Sequence, residues 1–148
     1  MRRKPTRKKL LVLDTNHFSE WERSSPAAKR LSARLRASGE EMALAIATVE
    51  EELRGWLAEI NRHRDLDRQI VPYTKLQREV ECFGEWTILG WDAESAQMFR
   101  NFRARGIRIG TMDLKIACIA LAHEATLLTR NARDFSQVPG LRFENWLD

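Results

Sequence analysis

Short, mainly apolar runs recur along the chain and are separated by longer stretches with helical spacing. A run of four to six such residues without regular polar alternation is typical of a strand buried on both faces of a sheet. Four such runs occur, at 10–13, 42–47, 86–89 and 125–129. A fifth segment, 141–143, follows a Pro-Gly turn and is a possible edge strand.

The stretches between these runs predict helices. Ser25 followed by Pro26 is a helix start signal, and Gly39 ends the same helix. The stretch 112–124 is apolar almost all round, which indicates a helix buried in the middle of the domain. The other predicted helices occupy 48–62, 75–85 and a segment that Asp92 caps and Gly106 ends.

Strands separated by helices imply right-handed crossovers and a parallel sheet covered on both sides. We therefore predict an α/β fold, a three-layer α/β/α sandwich around a central, mainly parallel sheet of four to five strands. A length of 148 residues suits one domain, which we assign to residues 10–148.

Residues 1–9 carry six basic side chains and no acid, whereas the rest of the chain has 19 basic and 21 acidic side chains. The net charge of +4 therefore comes from a basic tail at 1–9, which we predict to be flexible. Such a tail suits contact with phosphate backbones, and a merely solubilising arm is the alternative. Two cysteines without CxxC spacing and no membrane-length apolar run lead us to expect a cytoplasmic protein that does not enter a membrane.

Carboxylates recur where predicted strands pass into helices. Asp14 follows the first strand, Glu51 lies at the second junction, Asp113 opens the buried helix, and Asn131 and Asp134 follow the fourth strand. In a parallel sheet these positions share one edge, where ligands gather.

Each acid also has a purely structural interpretation. Asp14 can shape the turn after its strand. Thr48 and Glu51 have the spacing of a capping box, and Asp113 is favoured in a first helical turn by the helix dipole. Recurrence at several junctions favours a shared site over three separate caps.

Several acids in one cleft repel one another unless a divalent cation neutralises them. Ligands that are all oxygen select Mg²⁺ or Mn²⁺ over zinc. A site of this kind hydrolyses phosphodiesters by activating water and neutralising the leaving oxygen. The sequence contains no GxxxxGK[ST], GxGxxG, HExxH or GxSxG motif that would indicate another chemistry.

The sequence resembles the PIN-domain family, and in particular the ribonuclease toxins of VapBC-type toxin–antitoxin pairs. The stretches that carry the resemblance are LLVLDTN at 10–16, ATVEEELRG at 47–55, TMDLKIACIALAHEATLLTRNARDF at 111–135 and PGLRFENW at 139–146. It implies an α/β/α fold and Mg²⁺- or Mn²⁺-dependent cleavage of RNA, with Asp14, Glu51 and Asp113 as metal ligands.

The fourth acidic position of the family pattern falls on Asn131, which is a departure. Either Asn131 contributes through a metal-bound water, or Asp134 supplies the missing charge as a ligand. The resemblance also implies a small antitoxin that covers the acidic cleft, with the helices at 26–38 and 48–62 as its expected groove, and a tendency to form homodimers.

Two alternatives stay open. One is an RNA-binding module with the same fold and a degenerate, inactive site, which the amide at Asn131 favours. The other is a phosphatase of the haloacid dehalogenase class, which also begins with a strand that ends in Asp. That class needs a second Asp as general acid two residues later, where this chain has Asn16.

Overall fold

A five-stranded parallel sheet forms the centre of the protein. The structure is a computed structural model, and it describes residues 8–148. The strands are β1 (Leu10–Leu13), β2 (Glu41–Ala45), β3 (Thr87–Leu89), β4 (Thr126–Leu128) and β5 (Arg142–Glu144). Their order across the sheet is β3-β2-β1-β4-β5, and every pairing is parallel. The strand predictions, including the edge strand, are confirmed.

The helices connect these strands over both faces of the sheet. They are α1 (Thr15–Glu22), α2 (Pro26–Ser38), α3 (Ile46–Asn61), α4 (Ile70–Phe83), α5 (Ala93–Ala104), α6 (Thr111–Ala122) and the single turn α7 (Ala132–Phe135). Of the described helices, none is long and apolar enough to cross a membrane.

The side chains of β1 alternate between two hydrophobic cores, which defines the three layers. Val12 packs in one core with residues of α5 and α6, and Leu11 and Leu13 pack in the other with residues of α1, α2 and α4. All three side chains are fully buried. The predicted α/β/α sandwich is thus confirmed, and the carboxyl ends of β1, β2 and β4 share one edge.

The N-terminus of α3 differs from the prediction in a way that matters for Glu51. We predicted a helix that starts at Thr48 with a Thr48–Glu51 capping box. The helix instead starts at Ile46 after Ala45, which makes no side-chain cap, and Thr48 lies buried inside it. The capping interpretation of Glu51 is therefore wrong, because an apolar strand that passes directly into a helix leaves no cap position at Thr48.

Two further helices differ from the predicted set. The segment after β1, for which we predicted no full helix, is the two-turn helix α1 capped by Asp14. Helix α4 begins at Ile70 and carries Pro72 in its first turn. Proline is tolerated there because backbone N–H groups of the first turn have no acceptor within the helix, so the missing N–H costs no hydrogen bond. Of the predicted basic tail, residues 1–7 lie outside the described residues, and the tail stays a prediction.

Candidate active site

Asp14 ends β1 at the middle of the sheet edge. Its backbone N–H donates to Leu128 O of β4 at 3.0 Å, which fixes the two strand ends beside each other. Its Oδ1 accepts a hydrogen bond from the backbone N–H of His17 at 2.8 Å and so caps α1. Asp14 is only 4% exposed. Asp14 therefore has the structural role in the turn that we considered. This role uses only Oδ1, and Oδ2 has no hydrogen bond to a described residue.

Glu51 reaches the same edge from the second turn of α3. Its Oε2 accepts a hydrogen bond from the Thr15 hydroxyl at 3.1 Å, which links it to the residue that follows Asp14. Glu51 is exposed, whereas the neighbouring Glu52 is half-buried and turns towards Ser19. Both glutamates thus contact α1, and Glu51 is the one that remains exposed at the cleft.

Asp113 lies in the first turn of α6 and faces the other acids. Burial raises the pKa of its carboxyl group, and the negative charges of Glu51, Asp14 and Asp134 raise that pKa further. All four acids therefore occupy one electrostatic neighbourhood. A first-turn acid stabilised by the helix dipole alone would have its pKa lowered, so the dipole does not account for Asp113.

Asn131 and Asp134 are joined in the turn after β4. The Asn131 Nδ2 group donates to Asp134 Oδ2 at 2.9 Å, and Asn131 Oδ1 accepts the backbone N–H of Asp134 at 3.2 Å. Both polar atoms of the Asn131 side chain are thus used within the turn. Between the two alternatives for the fourth position, this arrangement favours Asp134 as the acid that faces the cleft and Asn131 as the residue that orients it.

The donor set of the cleft suits a hard divalent cation. The four acids offer carboxylate oxygens, the ligands that Mg²⁺ and Mn²⁺ prefer. Within residues 8–148, no lysine or arginine forms an ion pair with any of the four. Their mutual repulsion, visible in the raised pKa of Asp113, is therefore not offset by the described part of the protein.

A groove of about 480 Å³ opens beside Glu51. It runs between α3 and α4, and its lining includes Thr15, Glu52, Trp56 and Lys75. Helix α2 contributes no residue to this lining, and the antitoxin groove expected at the helices 26–38 and 48–62 stays a prediction. The α3 side of the groove carries Glu51, Glu52 and Glu59, and the α4 side carries Val71, Pro72 and Lys75.

His17 is a site residue that sequence reasoning missed. The imidazole is completely buried, its Nδ1 lies 3.4 Å from Asp14 Oδ1, and its Nε2 accepts a hydrogen bond from the backbone N–H of Trp146 at 3.3 Å. His17 thus connects the carboxyl-terminal segment to Asp14. The sequence did contain a signal for His17. Residues three apart lie on the same side of a helix, so His17 is expected close to Asp14, the N-cap of α1.

Comparison with known proteins identifies the family of this chain. The PIN-domain family model matches residues 11–141, which is most of the chain. The chain belongs to the PIN-domain family. Ribonuclease VapC2 of Rickettsia felis is 48% identical over 42 residues, which are 28% of this chain and 31% of the relative. Ribonuclease VapC2 of Haemophilus influenzae is 37% identical over 65 residues, 41% of this chain and 49% of the relative. The matched segments therefore span a third to a half of these relatives.

Solved structures extend the likeness of this PIN domain over nearly the whole chain. VapBC2 from Rickettsia felis, bound to a promoter DNA fragment, superposes with a TM-score of 0.68 at 23% identity and covers 93% of this chain and 98% of that one. VapBC-1 from nontypeable Haemophilus influenzae gives 0.71 at 20% identity and covers 94% and 99%. At these identities the likeness establishes the fold.

Proposed function

We propose that this PIN domain is a Mg²⁺- or Mn²⁺-dependent endoribonuclease, acting in the cytoplasm as the toxin of a VapBC-type pair. The observation that carries the proposal is that Asp14, Glu51, Asp134 and Asp113 lie in one cleft. Burial, and next the negative charges of the other three acids, raises the pKa of Asp113 there. The sequence relatives are named ribonucleases, which supports RNA as the substrate.

Asp14, Glu51, Asp113 and Asp134 are the residues that would hold the cation. When bound, a divalent cation supplies positive charge that activates water and stabilises the leaving oxygen of a phosphodiester. Thr15 fixes the orientation of Glu51, and Asn131 fixes that of Asp134. The backbone N–H of His17 holds Asp14 Oδ1, so Asp14, Glu51 and Asp134 each have a hydrogen-bond partner that can orient them.

The antitoxin is the second proposed partner. The superposed structures are described as VapBC pairs, and the groove between α3 and α4 leads directly to Glu51. A peptide segment with apolar side chains for the α4 wall and a basic side chain for Glu51 would fill this groove and block the cleft. The homodimer stays a prediction.

The direct test incubates the purified protein with single-stranded RNA and Mn²⁺, with and without EDTA. We expect cleavage that EDTA and Asp14→Ala both abolish. RNA binding without cleavage in the wild-type protein would instead identify an inactive RNA-binding module. Cleavage of a small aryl phosphate that Asp14→Asn abolishes would revive the phosphatase alternative.

The predicted basic tail has a separate test. Deleting residues 2–9 removes six positive charges, and each phosphate contact of a single strand contributes about 0.7 to the slope of log affinity against log salt. We expect weaker RNA binding with a slope that falls by up to about four. An unchanged slope would show that the tail does not contact RNA.

A further inference from the structure

A second group of acids lies outside the candidate active site, on the helices that cover one face of the sheet. It consists of Glu22 at the end of α1, Glu52 in α3 and Glu79 in α4. One ligand atom from each lies within 4.8 Å of the other two. Among the described residues, this is the one group of three or more potential metal ligands whose ligand atoms lie so close together. The four acids of the active-site cleft are more widely spaced.

Glu79 provides a second observation, separate from the clustering. The residue is 5% exposed, and its Oε1 is buried with no hydrogen-bond partner among the described residues. A buried carboxylate oxygen without a donor is costly, because the lost hydration is not replaced. Because the Glu79 carboxyl group contacts those of Glu22 and Glu52, a shared proton or a bound cation can supply the partner that this oxygen lacks.

No positive side chain neutralises the group. None of the three glutamates forms an ion pair with a lysine or arginine of residues 8–148. The contact to Glu52 from outside the group is a hydrogen bond from the Ser19 hydroxyl at 3.0 Å. Burial, and next the contact with the Glu22 carboxyl group, raises the pKa of Glu79 to about 7.

The limit on the separations of the oxygens is compatible with ligands around a hard cation. Metal–oxygen distances of about 2.1 Å for Mg²⁺ and 2.3–2.6 Å for Ca²⁺ place ligand oxygens at most about 4 to 5 Å apart. The three carboxylate oxygens, which all lie within 4.8 Å of one another, meet this limit. Glu22 is exposed and gives the ion and its remaining water ligands access from solvent.

We propose that Glu22, Glu52 and Glu79 bind a divalent cation that ties α1, α3 and α4 together. This site is distinct from the candidate active site, although the two share helix α3. Glu51 bonds Thr15 on the cleft side, whereas Glu52 bonds Ser19 one helical turn further along α1. A cation held by Glu52 thus fixes the part of α3 that presents Glu51.

The test counts bound Mn²⁺ by electron paramagnetic resonance at pH 8, where protons compete least. The parent protein is the double variant Asp14→Asn/Asp113→Asn, which weakens the active-site cleft and keeps a residue that can cap α1. We expect this parent to retain one Mn²⁺ per chain. Glu79→Gln in the parent should remove that ion, and Glu22→Gln should weaken its binding at least tenfold.

Glu81→Gln is the matched control, because it removes the same charge from α4 at an exposed position outside the group. It should leave the Mn²⁺ count unchanged. Because Glu22 is exposed, the Glu22→Gln variant is expected to fold even if the Glu79→Gln variant does not. A parent that binds no Mn²⁺ overturns the proposal, as does undiminished binding in Glu22→Gln. The count does not depend on RNA cleavage, so the ribonuclease proposal and this one can fail separately.

Discussion

The two acidic groups of this protein are built in opposite ways. Of the cleft acids, Asp14 directly follows β1 and Asp134 lies in the turn after β4, whereas Glu51 and Asp113 project from the first two turns of α3 and α6. All but Asp113 are hydrogen-bonded by a described neighbour. The three-glutamate group lies on helix faces, and its oxygens approach one another closely although Glu79 Oε1 lacks a donor. The carboxylates of one group are spaced apart, and those of the other are drawn together.

This difference separates a reactive site from a structural one. A catalytic cleft must admit a substrate as well as a cation, so its ligands are spaced by neighbours such as Thr15 and Asn131 and remain accessible. A cation that only connects helices needs no room for substrate. The comparison therefore predicts that the cleft acids control activity with little effect on stability, and that the three glutamates do the reverse.

The largest expected effect is the loss of RNA cleavage in Asp113→Asn and in Glu51→Gln, each by at least about 100-fold. The thermal midpoint should stay unchanged or rise, because the raised pKa of Asp113 shows that its negative charge is disfavoured in the folded protein. Initial cleavage rates with Mn²⁺, beside thermal denaturation curves, measure both quantities.

Glu50→Gln is the control for Glu51→Gln. Glu50 precedes Glu51 on α3, and its carboxylate bonds Arg54 at 2.6 Å on the outer surface. Its loss should leave cleavage unchanged. Unfolding of both Asp113→Asn and Glu51→Gln would show that these acids are structural and would remove the basis for the nuclease.

The sequence was sufficient for the fold and for the cleft acids because both depend on local order along the chain. Buried parallel strands are short apolar runs, and the residue that follows such a run must lie at the carboxyl edge of the sheet. Asp14 could be placed there without coordinates. Asp113 follows no strand, because α6 comes after α5, and it was predicted from its position at the start of the buried helix. The start of α3 was misplaced because Ile46 and Ala47 continue the apolar run of β2, and an apolar run alone does not mark where a strand becomes a helix.

The three-glutamate group could not be predicted in the same way. Glu22, Glu52 and Glu79 are about 30 residues apart, and each belongs to a helix with many other charges. Their meeting depends on the rotation of three helices about their axes, which is set by packing in the core around Phe18 and Phe83. The pairing of Asn131 with Asp134 was also undecided, since both follow the same strand and the hydrogen bond decides which one faces the cleft.

A smaller effect should follow when the orientation of Asp134 is lost. Asn131→Ala removes a hydrogen bond to a charged carboxylate, which is worth roughly 1.5–3 kcal/mol, so we expect cleavage to fall by about 10- to 100-fold. Asn145→Ala is the control, because the Asn145 amide donates to Asp148 at 2.7 Å over the same three-residue spacing, away from the cleft. If Asn131→Ala cleaves RNA at the wild-type rate, Asn131 does not position Asp134.

The smallest effect, and the one that tests the buried group most directly, is a dependence of stability on pH. Glu52 and Glu79 titrate near 4.5 when unfolded and near 7 when folded, so the folded protein binds the additional protons between these values. Their contribution to the free energy of unfolding is then complete below about pH 4.5 and is lost as the pH rises through about 7.

Urea denaturation in EDTA from pH 5 to pH 8 should show this decline, and Glu79→Gln should make it shallower, because glutamine does not titrate. Glu81→Gln should retain the wild-type decline. Saturating Mn²⁺ should oppose the decline at pH 8, since a cation replaces the departing protons and stabilises the state that binds it. Stability that does not fall between pH 5 and pH 8 in EDTA would mean that the three carboxylates are not forced together in solution, and the contrast with the open cleft would then disappear.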